Sequence, residues 1–120
     1  MELATAIPVF RISSERLARE HYIDCLGFTI DWIYQQRNHP VYLQIRKDKL
    51  VLHLTEHEGD AEPGAVVMVH ASGIDQFYLE LRTRLPAGKL VFVSHTEAST
   101  TLQIADPFGN QLRLTENKLS

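Results

Sequence analysis

The sequence predicts an α+β fold in which two βαβββ modules pair into a curved mixed sheet with a cleft, and three observations lead there. Apolar residues recur at helical spacing in only two stretches, one from about residue 15 to 26 and one from residue 74 up to Pro86. Short segments with a period of two fill most of the remainder. The order strand, helix, strand, strand, strand occurs twice, on either side of an acidic, turn-rich connector. A chain of 120 residues with 44% hydrophobic content closes one modest core, so a single domain over 1–120 is expected. Its parts are module one at about 5–56, the connector at about 57–64 and module two at about 65–117.

In the first module, Thr5 to Ile12 form a strand whose Pro8, lacking an N–H, belongs at an edge or at the start. Ser13 and Ser14 precede Glu15, where a serine hydroxyl satisfies free N–H groups at a helix start. Leu17, Ala18, His21, Tyr22 and Cys25 then mark a helix from about Glu15 to Leu26, and Gly27 supplies the left-handed stop. From Phe28 the period becomes two, with Phe28, Ile30, Trp32 and Tyr34 on one side and Thr29, Asp31 and Gln35 largely on the other. Gln36 to Pro40 make a turn, Val41 to Arg46 a third strand, Lys47 to Lys49 a second turn, and Leu50 to Thr55 a fourth strand.

After the connector, Ala65 to Ala71 read as a Val-rich strand, Ser72 as a cap, and Ile74, Phe77, Tyr78 and Leu81 as a helical stripe ending before Pro86. Lys89 to Ser94, Thr100 to Ala105 and Gln111 to Thr115 are three more strands, the last two joined across Asp106-Pro107-Phe108-Gly109-Asn110.

Composition excludes several classes of function. A net charge of -3 with scattered basic residues argues against a nucleic-acid partner. Cys25 stands alone, which rules out an intrachain disulfide framework and suits a buried thiol in a reducing compartment. No run approaches the roughly 20 apolar residues of a membrane span, and the start lacks the pattern of a secretory signal, so the expectation is no membrane partner and a cytoplasmic location.

Three segments give the chain a family likeness: Ile7-Pro8-Val9-Phe10-Arg11-Ile12 with Tyr22 to Phe28, Leu52-His53-Leu54-Thr55-Glu56-His57, and Ala105 to Leu114. They resemble the vicinal oxygen chelate superfamily, in its glyoxalase/bleomycin-resistance branch, over essentially the whole chain. The turn in the last segment is the most specific, with Pro107 fixing one φ and Gly109 free to take a positive one. The resemblance implies paired modules around a cleft whose walls a second subunit completes, hence a homodimer. In enzymes of that superfamily a divalent metal is held from the first, fourth, fifth and eighth strands, which fall here near Ile7, His53, Val66 or Val67, and Arg113. Only His53 is a ligand type, because aliphatic side chains and a guanidinium offer a metal nothing. The resemblance therefore implies the metal-free branch, with no cofactor and no catalytic residue. Its proteins sequester bleomycin-type antibiotics as dimers, so the implied partner is a small molecule, a bleomycin-like one among the candidates. The rivals are a glyoxalase-like metal-dependent lyase or isomerase, using His53 with His57 or a residue of a second subunit, and a purely structural or regulatory module.

Period-two geometry places the site. If Leu50, Leu52 and Leu54 face the helices, then Val51, His53 and Thr55 face the cleft. The same alternation brings Tyr42 and Gln44, Arg113 with Gln111 and Thr115, and Arg11 with Ile7 and Val9 to that side. Trp32 is a weaker candidate, a flat ring able to stack on a planar ligand. Glu56, with His57, Glu58 and Asp60, would rim the cleft mouth and attract a cation. Arg11 and Arg113 oppose a cationic ligand and favour a neutral or anionic one. His53-Leu54-Thr55-Glu56-His57 also matches a zinc-peptidase pattern, but that pattern works on a helix and these residues alternate as a strand. His21, His39, His70 and His95 read as dispersed surface or helix histidines.

Overall fold

The computed structural model of the chain describes residues 1–85 and 91–118. Module one comprises β1 (Val9–Arg11), α1 (Glu15–Ala18) running on as a π-helical segment (Arg19–Cys25), β2 (Thr29–Tyr34), β3 (Tyr42–Lys47) and β4 (Leu50–Thr55). Module two repeats the order with β5 (Val66–His70), α2 (Ile74–Arg84), β6 (Val91–His95), β7 (Ser99–Ala105) and β8 (Gln111–Asn117). Lys89 and Leu90, expected to begin β6, and Pro86, expected to stop α2, lie outside the described residues. Each module forms its own four-stranded mixed sheet, ordered β1-β4-β3-β2 and β5-β8-β7-β6. The first strand of each pairs in parallel with the last, and the other pairs are antiparallel.

Leu43, Ile45, Leu52 and Leu54 from the first sheet and Leu102, Ile104 and Leu112 from the second turn to one side, where they meet Ala18, Tyr22, Leu26, Ile74 and Leu81 in a single buried cluster. A fully buried aliphatic side chain stabilises by about 1.5–3 kcal/mol, so this shared core is the main force that keeps the modules together. The opposite faces of both sheets are left open, and the molecule is flat, measuring 50 × 44 × 23 Å.

The turn after β7 locks the modules. Asp106 Oδ1 accepts from the Phe108 and Asn110 N–H groups at 2.9 and 2.8 Å, and its Oδ2 accepts from Tyr22 Oη at 2.7 Å and Asn110 Nδ2 at 2.9 Å. Asn110 Nδ2 also donates to the Arg11 carbonyl at 2.8 Å, while its Oδ1 accepts from the Ala65 N–H at 3.1 Å. Gly109 has a φ of 88°, which permits the tight return.

Four sequence expectations are corrected. The first strand covers only Val9–Arg11, because Met1 to Ile7 make no ladder and are exposed. The first helix begins at the Ser14 cap as expected, with Oγ accepting from the Leu17 N–H at 3.2 Å, but then widens, so that Leu26 N–H bonds the His21 carbonyl at 3.0 Å. On it His21 and Tyr22, consecutive in sequence, are both buried, so His21 is a core histidine and not a surface one. Ser72 does not cap α2. Gly73 holds that position in a left-handed conformation, and the Glu116 carboxylate, reaching over from β8, accepts from the Gly73 and Ile74 N–H groups. Finally, the register of β2 against β3 shifts between Ile30 and Trp32, which breaks the simple alternation assumed for that strand. Among the described residues no helix is long and apolar enough to cross a membrane.

Candidate functional site

The open face of the first sheet gathers the chemically interesting side chains, and strand pairing explains how. In β3 and β4, Leu43, Ile45, Leu52 and Leu54 go to the core, so Tyr42, Gln44, Arg46 and His53 go to the open side. Gln44 pairs directly with His53, and on the other edge of β4 Val9 pairs with His53 and Arg11 with Thr55. In β2, Ile30 pairs with Ile45 on the core side, whereas Trp32 pairs with Gln44. The bulge between them brings two neighbours, Asp31 and Trp32, to the same open face. Strict alternation had placed them on opposite sides, so Asp31 is a site residue that the sequence pattern missed, and only the bulge reveals it. Its partner Arg46, two residues after Gln44, follows the alternation of β3 and was not singled out.

These side chains form one hydrogen-bonded chain. Arg46 Nε and Gln44 Nε2 both donate to Asp31 Oδ2, at 3.1 and 2.8 Å. Gln44 must therefore present its amide oxygen to His53 Nε2, 2.8 Å away. That assigns the His53 proton to Nε2 and leaves Nδ1 to accept from Tyr42 Oη at 2.7 Å. Burial lowers the His53 pKa, favouring the neutral ring that this arrangement requires. Burial raises the Tyr42 hydroxyl, with Asp60 adding to the effect, so Tyr42 stays a donor. The hydrogen bond from Gln44 holds Asp31 below its ordinary value, and Arg46 reinforces it.

Aromatic rings pave the same surface. Trp32 stacks on Tyr42 with an interplanar angle of 8° at 6.0 Å, and both rings meet His53 edge-on, at 5.3 and 5.1 Å. Trp32 is 43% exposed and Tyr34 55%, far more than large aromatics normally leave to water. The arrangement offers a planar ring a place to stack and a polar edge to meet.

The remaining predicted residues divide. Arg11 lies on this face beside Thr55, and Arg113 lies on the open face of the second sheet, paired across β7 and β8 with Gln103. Glu56 is occupied structurally, its Oε1 accepting from the Val41 N–H at 3.0 Å. Cys25 is half-buried, its Sγ 3.5 Å from the Arg84 carbonyl, and burial raises the thiol pKa.

The donors do not fit a metal. β5 pairs Val66 with Gln111 and Met68 with Arg113, which sets Val66 on the open side and Val67 against the core. The four expected ligand positions are thus Ile7, His53, Val66 and Arg113, and both nitrogens of the lone histidine are engaged. The Tyr42 ring lies 5.1 Å from the His53 ring and 6.4 Å from the His57 ring. Among the described residues no group of three or more His, Cys, Asp or Glu side chains could hold a metal.

A cavity of about 880 Å³ opens elsewhere, on the helix side between the modules, where Phe28, Leu50, Phe77 and Leu112 form its floor and Lys47 and Lys49 its rim. None of the seven predicted site residues lines it. On the open face of the first sheet, Trp32, Tyr42 and His53 form a shelf of adjoining rings.

Solved structures of the same fold include a bleomycin-binding protein from bleomycin-producing Streptomyces verticillus complexed with copper(II)-bleomycin, with a TM-score of 0.74 and 19% identity over 98% of this chain and 99% of that one. An antibiotic-binding protein from Streptomyces sp. CB03234 gives 0.72 and 19%, covering 98% and 100%, and a glyoxalase family protein from Bacillus anthracis gives 0.65 and 19%, covering 98% and 99%. No curated protein matches the chain. The family described as "Glyoxalase superfamily protein" matches residues 1–120, and the chain belongs to that superfamily.

Proposed function

We propose that the protein is a metal-free, cytoplasmic binding protein for an organic small molecule, which stacks on the open face of the first sheet in a cleft completed by a second copy of the chain. The observation that carries this reading is the Trp32-Tyr42-His53 shelf, in which the polar atoms of half-buried Tyr42 and His53 are engaged with each other and with Gln44 while the Trp32 ring stays exposed. Such a surface is preorganised to bind and offers no free base or nucleophile for chemistry. Structural likeness to proteins that bind bleomycin and other antibiotics supports ligand binding by this fold. The exposed apolar residues Ile7, Trp32, Tyr34, Val66 and Met68 support coverage by a second copy.

Trp32 is the only tryptophan, so its emission reports on the shelf directly. In titrations with planar aromatic compounds, metal-free bleomycin tested beside them, at least one compound should quench Trp32 saturably, and a bound compound should raise the melting temperature. Divalent zinc or nickel should leave melting unchanged. A dimer whose emission and melting respond to none of the organic compounds, or whose melting responds to metal alone, would overturn the proposal.

A further inference from the structure

Arg11 is the charged side chain on the shelf that none of the described residues answers. It stands on β1 in register with Thr55 and diagonal to His53, on the face that carries Trp32 and Tyr42. Its Nε is buried and has no hydrogen-bond partner. The carboxylates of this sheet face and of the connector are committed elsewhere: Asp31 to Gln44 and Arg46, Asp60 to the Thr55 hydroxyl at 2.8 Å, and Glu56 to the Val41 N–H. Among the described residues no acid lies within ion-pair distance of Arg11. An arginine is always charged and presents a rigid fork of donors, and a buried donor left unpaired costs about 1–3 kcal/mol. The second sheet repeats the pattern, with Arg113 Nε buried and unpartnered on its open face.

We propose that the ligand carries a carboxylate, and that Arg11 pairs with it while the ligand's planar part stacks on Trp32. The inference rests on the binding reading above and adds the charge of the ligand. A carboxylate meeting the guanidinium fork gains two charge-assisted hydrogen bonds and supplies the partner that Nε lacks. A cationic ligand would instead meet Arg11 across the shelf, where like charges repel.

The test uses three probes of one shape, 2-naphthoate, 2-naphthylmethanol and 2-naphthylmethylamine, titrated against Trp32 emission of the full chain. The naphthoate should bind roughly ten-fold or more tightly than the alcohol, a factor that corresponds to about 1.4 kcal/mol, and the amine weakest. Arg11→Gln should abolish that preference, bringing naphthoate binding down to the level of the alcohol measured in the same variant. Raising the ionic strength of wild-type samples should weaken naphthoate binding alone, which keeps the test decisive should the variant not fold. Binding of the alcohol or amine with no advantage for the carboxylate, or a carboxylate advantage that survives both Arg11→Gln and salt, overturns this inference and leaves the binding proposal standing. Saturable quenching by none of the three overturns both.

Discussion

Tyr42 decides which nitrogen of His53 is free, and the answer is neither. Gln44, oriented by Asp31, takes Nε2–H, and the Tyr42 hydroxyl takes Nδ1. Nitrogen NMR on the ring should therefore find the Nε2–H tautomer near neutral pH, with a pKa below the ordinary 6.5. Tyr42→Phe removes the bond that stabilises the neutral ring, so the His53 pKa should rise in that variant. An unchanged or lower value would refute the assigned chain. His21 gives a second residue-level expectation, of opposite origin. Burial lowers its pKa to about 4, against some opposition from Asp106. Between that value and 6.5 the folded chain binds fewer protons than the unfolded one, so stability from this group is complete above 6.5 and is lost as pH falls toward 4. The loss amounts to about 3 kcal/mol at 1.36 kcal/mol per pKa unit. Denaturant melts of wild type and His21→Asn across that range should differ in slope, the variant losing most of its pH dependence. Parallel curves would show that His21 is not the group responsible.

At the scale of elements, the turn from Asp106 to Asn110 holds the first helix to the second module, and Tyr22 is its longest reach. Tyr22→Phe keeps the buried ring, which packs edge-on against Phe28 at 5.8 Å, but takes one of four donors from the Asp106 carboxylate. The cost should be about 1.5–3 kcal/mol in urea unfolding with an unchanged m-value. A change below 0.5 kcal/mol, the size of an ordinary surface substitution, would mean that the contact is not made in solution. Sequence made this turn visible, because Pro107 and Gly109 have geometric preferences of their own, but the tertiary partners Tyr22, Arg11 and Ala65 leave no local mark. The same distinction runs through the fold. β3 and β4 were legible to within a residue, since Leu43, Ile45, Leu52 and Leu54 alternate with polar or half-buried neighbours. The widened helix and the β2 bulge were not, as both are backbone adjustments that let particular side chains reach particular partners. For the site the consequence was specific. Alternation placed Tyr42, Gln44 and His53 together, while Asp31, which orients them all, sat on the wrong side of the pattern.

For the whole molecule, the governing fact is that a 13.7 kDa chain spends its apolar residues on one side of two sheets and still leaves Val66 and Met68 exposed on the other. Met68, at 63% exposure, sits beside Arg113 on the open face of the second sheet, as Trp32 sits beside Gln44 on the first. Isolated exposed apolar residues are ordinary, but a flat body of 50 × 44 × 23 Å with apolar side chains on both open faces has surface suited to a partner. If a second copy covers these faces, sedimentation should give twice the chain mass. Met68→Asp should then shift it to a single chain, because a carboxylate buried at an interface without a partner is costly. The far-ultraviolet circular dichroism should stay unchanged, since Met68 lies outside the core cluster. Ligand quenching of Trp32 should weaken together with the dimer, even though Met68 belongs to the other module, because in the proposed arrangement a second copy completes the cleft. A variant that becomes monomeric yet binds with wild-type affinity would separate the two, and would place the whole binding site on the first sheet of one chain.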